Sequence, residues 1–301
     1  MEKVCVLGSI NIDFVSYSSR YPYPGETFFC DDFGIFQGGK GANQAIALAK
    51  MDVPTAMLGK IGNDMLGDFA LSFLKQNGVN AKRIFKASKT STGSASIWVN
   101  AEGQNSILVF PGANGKVDKK FIEENKAIFA EASYFLAQFE VPLDSVDFAL
   151  NLAKKKGLKT FLDPAPVKKI FNSHFWKNVD YLIPNEIELK ALANTNDILD
   201  GIQYLKRQGV GEVIVKLGEN GAGYETNGRL EKIPAIKVGG VIDTTGAGDC
   251  FVAGFIYSMT QISVIPKAIR MANLAASYAI QKKGAAVSFP AISEIKENFL
   301  D

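Results

Sequence analysis

Short apolar runs alternate with amphipathic stretches along most of the chain. The runs have the length of buried strands, and they span residues 4–7, 56–58, 134–137, 160–162, 181–183 and 213–217. Between them, apolar residues at three- and four-residue steps predict helices over residues 42–50, 64–76, 118–131, 143–156 and 186–193. This repeated alternation predicts an α/β, Rossmann-like fold, in which a mainly parallel sheet carries helices on both faces.

Two segments, residues 14–36 and 93–110, break this alternation. They are rich in aromatic, β-branched, glycine and proline residues and have no helical period, so each predicts a pair of strands. We expect them to form a small sheet beside one α/β domain made of residues 1–13, 37–92 and 111–301. A lid over a binding cleft and a pair of hairpins without function both fit this pattern.

After Gly246 the chain is predicted to be largely helical. One buried helix face is expected within residues 264–283, where apolar residues recur at Ile265, Ile269, Ala272, Ala276 and Ile280.

Composition narrows the classes of function. The 301 residues carry 33 basic and 31 acidic side chains, a balance that argues against nucleic acid or another polyanion as partner. No apolar run approaches the ~18 residues of a membrane helix. The chain enters a strand soon after Met1, so no signal peptide is expected. Three cysteines without metal-site spacing fit a reducing cytoplasm. Because the chain has a single histidine, His174, we do not expect a histidine-dependent catalytic triad or a metal site built from histidines.

Polar residues follow most of the predicted strands. In open α/β sheets, ligands bind beyond the carboxyl ends of the strands. Each residue alone fits a helix cap or a turn, but together they predict a ligand cleft at one sheet edge. The residues are Asn11, Asp13, Gln138, Glu140, Asp163, Asn185, Glu188 and Lys216.

A glycine cluster at residues 38–45 reads GGKGANQA and precedes a predicted helix. Its glycines would let the backbone approach a ligand closely. Gly34, Gly39 and Lys40 match the spacing of a phosphate-binding P-loop, but Gly41 stands where that loop requires a serine or threonine. We therefore reject the P-loop and regard Lys40 and Asn43 as hydrogen-bonding groups for a polyol.

A second motif, DTTGAGD at residues 243–249, opens the helix that follows. The amides of Gly246, Ala247 and Gly248 would face an anion at a helix N-terminus. Asp249, just inside that turn, fits either a carboxylate that stabilises the helix dipole or a general base beside an anion hole.

These motifs together resemble the ribokinase family, the PfkB-type carbohydrate kinases, over nearly the whole chain. The resemblance is carried by GSINID at 8–13, PGET at 24–27, the cluster at 38–45, PNEIE at 184–188, the motif at 243–249 and the pair at 283–284. Asn11, Asp13, Lys40 and Asn43 resemble the ribokinase branch more than the fructokinase or adenosine kinase branches.

The resemblance implies ATP-dependent phosphorylation of the 5-hydroxyl of D-ribose with Mg²⁺. It implies that Asp249 takes the hydroxyl proton and that the amides of residues 246–248 stabilise the transferring phosphoryl group. The implied sugar ligands are Asn11, Asp13, Gly39, Lys40, Asn43 and Glu140. The implied nucleotide and Mg²⁺ residues are Asn185, Glu188 (through water), Lys216, Gly218, Gly221, Gly248 and Asn273.

The resemblance also implies a β-sheet lid shared across a homodimer. Three positions depart from the ribokinase pattern: Cys250 and Lys216 each replace a threonine, and Asn273 replaces a histidine. These departures leave the implied sugar ligands unchanged and bear on the nucleotide preference.

A site for a monovalent cation, K⁺, is expected beside the second motif. Helix ends expose unpaired carbonyl oxygens, and an all-oxygen shell with one carboxylate suits such an ion. The family points to the same ligands, which are Asp243, Thr245, Ala279, Lys282, Gly284 and Ser288. A water-filled junction with Asp243 as a turn residue is the alternative.

Two other functions stay open from the sequence. One is a related kinase for fructose, a nucleoside or another sugar, and the other is a non-catalytic sugar-binding relative. The presence of Asp249 and the glycine run argues against the second.

Overall fold

The computed structural model describes residues 3–168, 174–237 and 239–295. The strands are β1 Val4–Leu7, β2 Asn11–Tyr17, β3 Asp32–Gly38, β4 Thr55–Gly62, β5 Asn80–Ala87, β6 Gly93–Val99, β7 Asn105–Phe110, β8 Tyr134–Gln138, β9 Lys159–Asp163, β10 Tyr181–Leu182, β11 Glu212–Lys216, β12 Ala222–Thr226 and β13 Arg229–Ile233. The α-helices are α1 Lys40–Lys50, α2 Met65–Gln76, α3 Lys119–Glu124, α4 Ala127–Ala130, α5 Leu143–Lys155, α6 Glu186–Ala193, α7 Ile198–Gln208, α8 Ala247–Gln261, α9 Ile265–Ala279 and α10 Ile292–Ile295.

The larger sheet has the strand order β13-β12-β11-β10-β9-β8-β1-β4-β5 in the described residues. Neighbouring strands from β11 to β5 are parallel, whereas β12 and β13 add antiparallel strands at one edge. The predicted α/β class with a mainly parallel sheet is therefore confirmed. Parallel pairing brings the carboxyl ends of β1, β8, β9 and β11 to one edge, where the polar residues follow.

The two faces of this sheet bury separate apolar clusters, because successive side chains of a strand point to opposite sides. Val4 and Val6 of β1 pack into the cluster that holds α1, α8 and α9. Cys5 and Leu7 pack into the other, which holds α5 and α7. The predicted helix face at 264–283 is confirmed in α9, and small residues there allow close contact with α8. A Cβ built on Gly254 would lie 2.9 Å from Ala275 Cβ.

The smaller sheet has the order β3-β2-β6-β7 and contains the four strands expected from the irregular segments. Its strands begin at Asn11 and end at Gly38 in the first segment, so they extend beyond residues 14–36. Strand β2 therefore begins close after β1 and carries Asn11 and Asp13. A cleft of ≈ 330 Å³ separates the inner face of this sheet from the loops around Asp243 and Lys283.

The sequence predictions differ from the structure in one helix, and they miss several elements. The helix predicted over 118–131 is divided into α3 and α4, because the Asn125 side chain bonds the Phe121 carbonyl at 2.9 Å and ends α3. Strand β5 was missed because it is a half-exposed edge strand with interspersed lysines, and helix α7 and the hairpin β12–β13 were missed as well. Among the described helices, none combines the length and apolar character needed to cross a membrane.

Candidate active site

The start of α1 is fixed by groups from two strand ends. Gly39 has a φ of 86°, and a Cβ there would lie 2.8 Å from the Asn11 nitrogen, so the position requires glycine. The N–H of Lys40 donates to Glu140 Oε2 at 2.9 Å, and Ser9 Oγ donates to the same carboxylate oxygen. A carboxylate at this end of a helix also complements its dipole. This arrangement holds Lys40 and Asn43 at the carboxyl edge of the sheet.

Asp249 is the central carboxylate of this edge. It is 4% exposed, in the first turn of α8. Asn43 Nδ2 donates to its Oδ2 at 3.0 Å, Gln44 Nε2 donates to its Oδ1 at 2.9 Å, and Lys40 Nζ lies 3.8 Å from Oδ1. The charge of Asp249 is the main cause that raises the pKa of Lys40, against the effect of burial. The carboxylate is held by nitrogen donors and has the chemistry of a proton acceptor.

The glycine motif lies directly before this carboxylate. Gly246 is the N-cap of α8 with a φ of 77°, and a Cβ there would lie 2.9 Å from Ala285 Cβ. The first turn of a helix leaves N–H groups without intrahelical acceptors, and these favour anions. Residues 246–248 and Asp249 therefore place anion donors and a carboxylate side by side.

Asp13 lies on strand β2, near enough to Asp249 and Glu140 for their charges to act on it. Burial, together with the charges of Glu140 and Asp249, raises the pKa of Asp13 to about 7. Gly38 on β3 leaves no space beside this carboxyl group, because a Cβ on Gly38 would lie 2.1 Å from Asp13 Oδ2. Three carboxyl groups thus interact electrostatically in this part of the molecule.

Asn11 is oriented by a residue that the sequence did not single out, Asn114. The N–H of Ile10 donates to Asn114 Oδ1 at 2.9 Å, which fixes the direction of that amide. Asn114 Nδ2 then donates to Asn11 Oδ1 at 2.7 Å, so Asn11 keeps its own amino group available. Within the described residues, the buried Asn43 Oδ1 has no hydrogen-bond partner. Both amides offer polar atoms for a ligand with hydroxyl groups.

A second cleft of ≈ 410 Å³ lies on the other side of residues 247–248. Its polar lining includes Lys216, Gly218, Gly221 and Asn273, and its apolar walls include Ile236 and Phe251. Asn273 Nδ2 donates to the carbonyls of Ile233 and Pro234 at 3.1 and 3.0 Å. The apolar walls suit a flat ring.

Asn185 and Glu188 lie beside that cleft and form a reciprocal cap on α6. Asn185 Oδ1 accepts the N–H of Glu188, and Glu188 Oε2 accepts the N–H of Asn185, both at 2.7 Å. Burial raises the pKa of Glu188, with Lys216 opposing the shift. Mg²⁺ takes oxygen ligands and keeps several waters, so this buried carboxylate fits an outer ligand of the ion.

The two loops of the expected cation site are in contact. Asp243 Oδ2 accepts the N–H of Gly284 at 2.8 Å, and its Oδ1 accepts the N–H of Thr245 at 2.9 Å. Burial would raise the pKa of Asp243, but these hydrogen bonds outweigh it and hold the pKa below its ordinary value. Ser288 Oγ donates to the Ala285 carbonyl at 2.8 Å. Ala279 ends α9, and Lys282 Nζ turns outward to Glu294.

Of the sequence-predicted sugar residues, Asp13 lines the first cleft, and Lys40 and Asn43 contact Asp249. Glu140 accepts the first N–H of α1, Gly39 precedes that helix, and Asn11 is held by Asn114. Of the nucleotide residues, Lys216, Gly218, Gly221, Gly248 and Asn273 line the second cleft. The sequence analysis did not single out Ser9, Gln44 or Asn114, and it placed Asp163 at the sheet edge without giving it a role. Gln44 lies inside the glycine cluster, so its position in the sequence could have indicated a place in the site.

Comparison with known proteins agrees with this geometry. The model of the pfkB family carbohydrate kinases matches residues 1–292. Ribokinase of Staphylococcus aureus (strain COL) is 37% identical over 302 residues, 98% of this chain and 99% of that protein. Deoxyribokinase of Salmonella typhi is 34% identical over 299 residues, 98% of this chain and 97% of that protein. The structure of Arabidopsis thaliana ribokinase complexed with ribose and ATP is 31% identical, covers 99% of this chain and 98% of its own, and gives a TM-score of 0.91. The family predicted from the motifs is confirmed, and the chain belongs to the pfkB family of carbohydrate kinases.

Proposed function

We propose that this protein transfers the γ-phosphoryl group of ATP to the 5-hydroxyl of D-ribose. The observation that carries the proposal is the position of Asp249, which is buried in the first turn of α8, contacts Lys40 and Asn43, and directly follows Ala247 and Gly248 of the second cleft. A sugar bound at these side chains and ATP in the second cleft would meet at this carboxylate. The likeness to ribokinases over nearly the whole chain supports ribose as the sugar.

In this reaction the sugar oxygen attacks the γ-phosphorus and the bond to the β–γ bridging oxygen breaks, which releases ADP. Asp249 accepts the hydroxyl proton, and the amides of Gly246, Ala247 and Gly248 stabilise the charge on the transferring group. Asn185 and Glu188 would hold Mg²⁺ through water, and the bound ion would neutralise phosphate charge. Lys216, Gly218, Gly221 and Asn273 bind the nucleotide.

The sugar is held by polar groups around Asp249 and the start of α1: Asn11, Asp13, Gly39, Lys40, Asn43 and Glu140. The likeness to a deoxyribokinase makes 2-deoxyribose the sharpest competing substrate. A kinase for fructose or a nucleoside is the broader alternative.

We expect ribose to exceed 2-deoxyribose in kcat/KM by roughly ten- to a hundredfold, because a missing hydroxyl leaves a buried polar partner unpaired. The measurement is ADP formation with ribose, 2-deoxyribose, fructose and adenosine at saturating ATP. Equal efficiency for the two pentoses, or a preference for fructose or adenosine, would reject the ribose assignment. No ADP formation with any sugar would favour the non-catalytic alternative.

A monovalent cation, K⁺, is proposed between the loops at 243–245 and 279–288. Its ligands would be the carboxylate of Asp243, the hydroxyl of Ser288, and carbonyls of Thr245, Ala279, Lys282 and Gly284. The contacts of Asp243 with Thr245 and Gly284 support this placement.

Replacing K⁺ with Na⁺ or tetramethylammonium is expected to lower kcat several-fold and to leave the KM for the sugar nearly unchanged. The ion would brace the loop before Gly246 without touching the sugar. Turnover is measured at constant ionic strength and saturating Mg²⁺, and Asp243→Asn should weaken the response. The same kcat in all three salts would rule out the site.

We also infer a homodimer formed through the small sheet. Large apolar side chains are exposed on its strands, and these are Phe33, Ile35, Trp98, Ile107, Leu108, Val109 and Phe110. A cytoplasmic location is proposed because all three cysteines are free thiols and Cys30 is exposed.

A further inference from the structure

A buried chain of hydrogen bonds connects the two clefts behind Asp249. Lys216 Nζ lies 3.0 Å from Asp163 Oδ1, and Asp163 Oδ2 accepts Gln44 Nε2 at 2.8 Å. The same Gln44 nitrogen donates to Asp249 Oδ1 at 2.9 Å. Four residues from β11, β9, α1 and α8 thus form one continuous path between the nucleotide cleft and the carboxylate of Asp249.

The orientation of Gln44 in this chain is fixed by chemistry. Its amino group donates one hydrogen to each of two carboxylates, and its Oε1 accepts Gln138 Nε2 at 2.6 Å. A reversed amide would place its oxygen against both carboxylates and its amino group against another amino group. Gln44 therefore holds Asp249 in a single arrangement and separates it from the charge of Asp163.

Asp163 is fully buried, and both of its carboxylate oxygens take part in this chain of hydrogen bonds. A buried carboxylate is stable only with a counter-charge and hydrogen bonds, and Lys216 supplies the counter-charge. Lys216 also lines the nucleotide cleft, and a methyl group built on Gly248 would lie 3.7 Å from its Nζ. The lysine is thus placed to contact phosphate while it pairs with Asp163.

We propose that Asp163 and Gln44 are positioning residues for Asp249, and that Lys216 couples this pair to the bound nucleotide. The inference rests on the proposed kinase function. Gln44 orients the base directly, and Asp163 orients Gln44. Neither residue contacts the reacting atoms, so their loss should act on turnover rather than on binding.

The test compares Gln44→Met, Asp163→Asn, their double variant and Lys216→Met. Methionine keeps the length of Gln44 without a donor. Asparagine has one amino group, which must face either Gln44 Nε2 or Lys216 Nζ, so one bond of the chain is lost. Asp180→Asn is the matched control, because Asp180 pairs with Lys154 at 2.7 Å outside both clefts.

We expect Gln44→Met and Asp163→Asn each to lower kcat at least about tenfold, with the KM for the sugar and the calorimetric affinity for ATP within about threefold. The double variant should be no slower than the slower single variant, because the two residues act as a unit. Lys216→Met should weaken ATP affinity as well. Asp180→Asn should leave kcat within about twofold of the parent.

The split between kcat and KM gives a readout that a merely structural role would not produce. Loss of a positioning contact lowers kcat while the KM for the sugar and the affinity for ATP stay nearly unchanged. General loss of the folded site would change all three together.

Unchanged kcat in folded Gln44→Met and Asp163→Asn would overturn the proposal, and so would multiplicative losses in the double variant. Where Asp163→Asn fails to fold, the kcat of Gln44→Met and its KM for the sugar decide alone. Sugar-independent ATP hydrolysis is measured in parallel. A parent that hydrolyses ATP but phosphorylates no sugar refutes the proposed function, and the positioning role is then judged from the hydrolysis rates.

Discussion

Asp249→Asn is expected to lower the rate of sugar phosphorylation by at least ~10²–10⁴-fold, the usual contribution of a general base. Asparagine keeps the size of the side chain and an oxygen for one of the two amide donors, Asn43 and Gln44. It cannot take the hydroxyl proton. Turnover is measured at saturating sugar and ATP, and binding of both is measured by calorimetry, where we expect only small changes.

A matched control separates base catalysis from helix capping. Asp118 is the N-cap of α3, and its side chain accepts the N–H of Phe121 at 2.8 Å, away from both clefts. Asp118→Asn removes a carboxylate from a helix N-terminus in the same way, so it should change stability slightly and turnover hardly at all. Near-normal turnover in folded Asp249→Asn would mean that Asp249 only stabilises the α8 dipole.

The buried strands of the fold were predictable, because strands covered on both faces appear as continuous apolar runs. Strands β1 and β9 lie where those runs predicted them. Strand β5 contains no such run, because it lies at the sheet edge and its apolar residues are interspersed with charged ones. Whether an edge strand forms depends on the elements that pack against it, and the pattern of a single sequence does not show which elements these are.

The location of the candidate site could be predicted from the sequence, but its individual contacts could not. Strand order brings the ends of β1, β8 and β9 together, so polar residues after these strands had to meet. The bonds from Gln44 to Asp163 and Asp249 depend on side-chain directions in three distant elements. No spacing rule connects them, and for that reason the hydrogen-bond chain was found only in the structure.

Asp13, a proposed sugar ligand, carries a cost to stability. Burial, together with the charges of Glu140 and Asp249, raises its pKa to about 7 from an ordinary value of 3.8. Between these pH values the folded protein holds a proton that the unfolded chain has released. The free energy of unfolding therefore falls as pH rises through this window, and the penalty persists above pH ~7.

Asp13→Asn is expected to raise Tm by several degrees at about pH 8 and to lower kcat/KM for the sugar at least about tenfold. The neutral amide removes the repulsion with Glu140 and Asp249, but it loses a charge-assisted acceptor for a sugar hydroxyl. The Tm difference from the parent should shrink as pH is lowered from about 7 to 3.8, below which Asp13 is mostly protonated in both states. In the parent, the KM for the sugar should rise as pH falls below about 7, and in Asp13→Asn this dependence should flatten. Calorimetric unfolding and steady-state kinetics across this pH range provide the measurements. A variant that is less stable than the parent at pH 8, or equally efficient with the sugar, would contradict this account of Asp13.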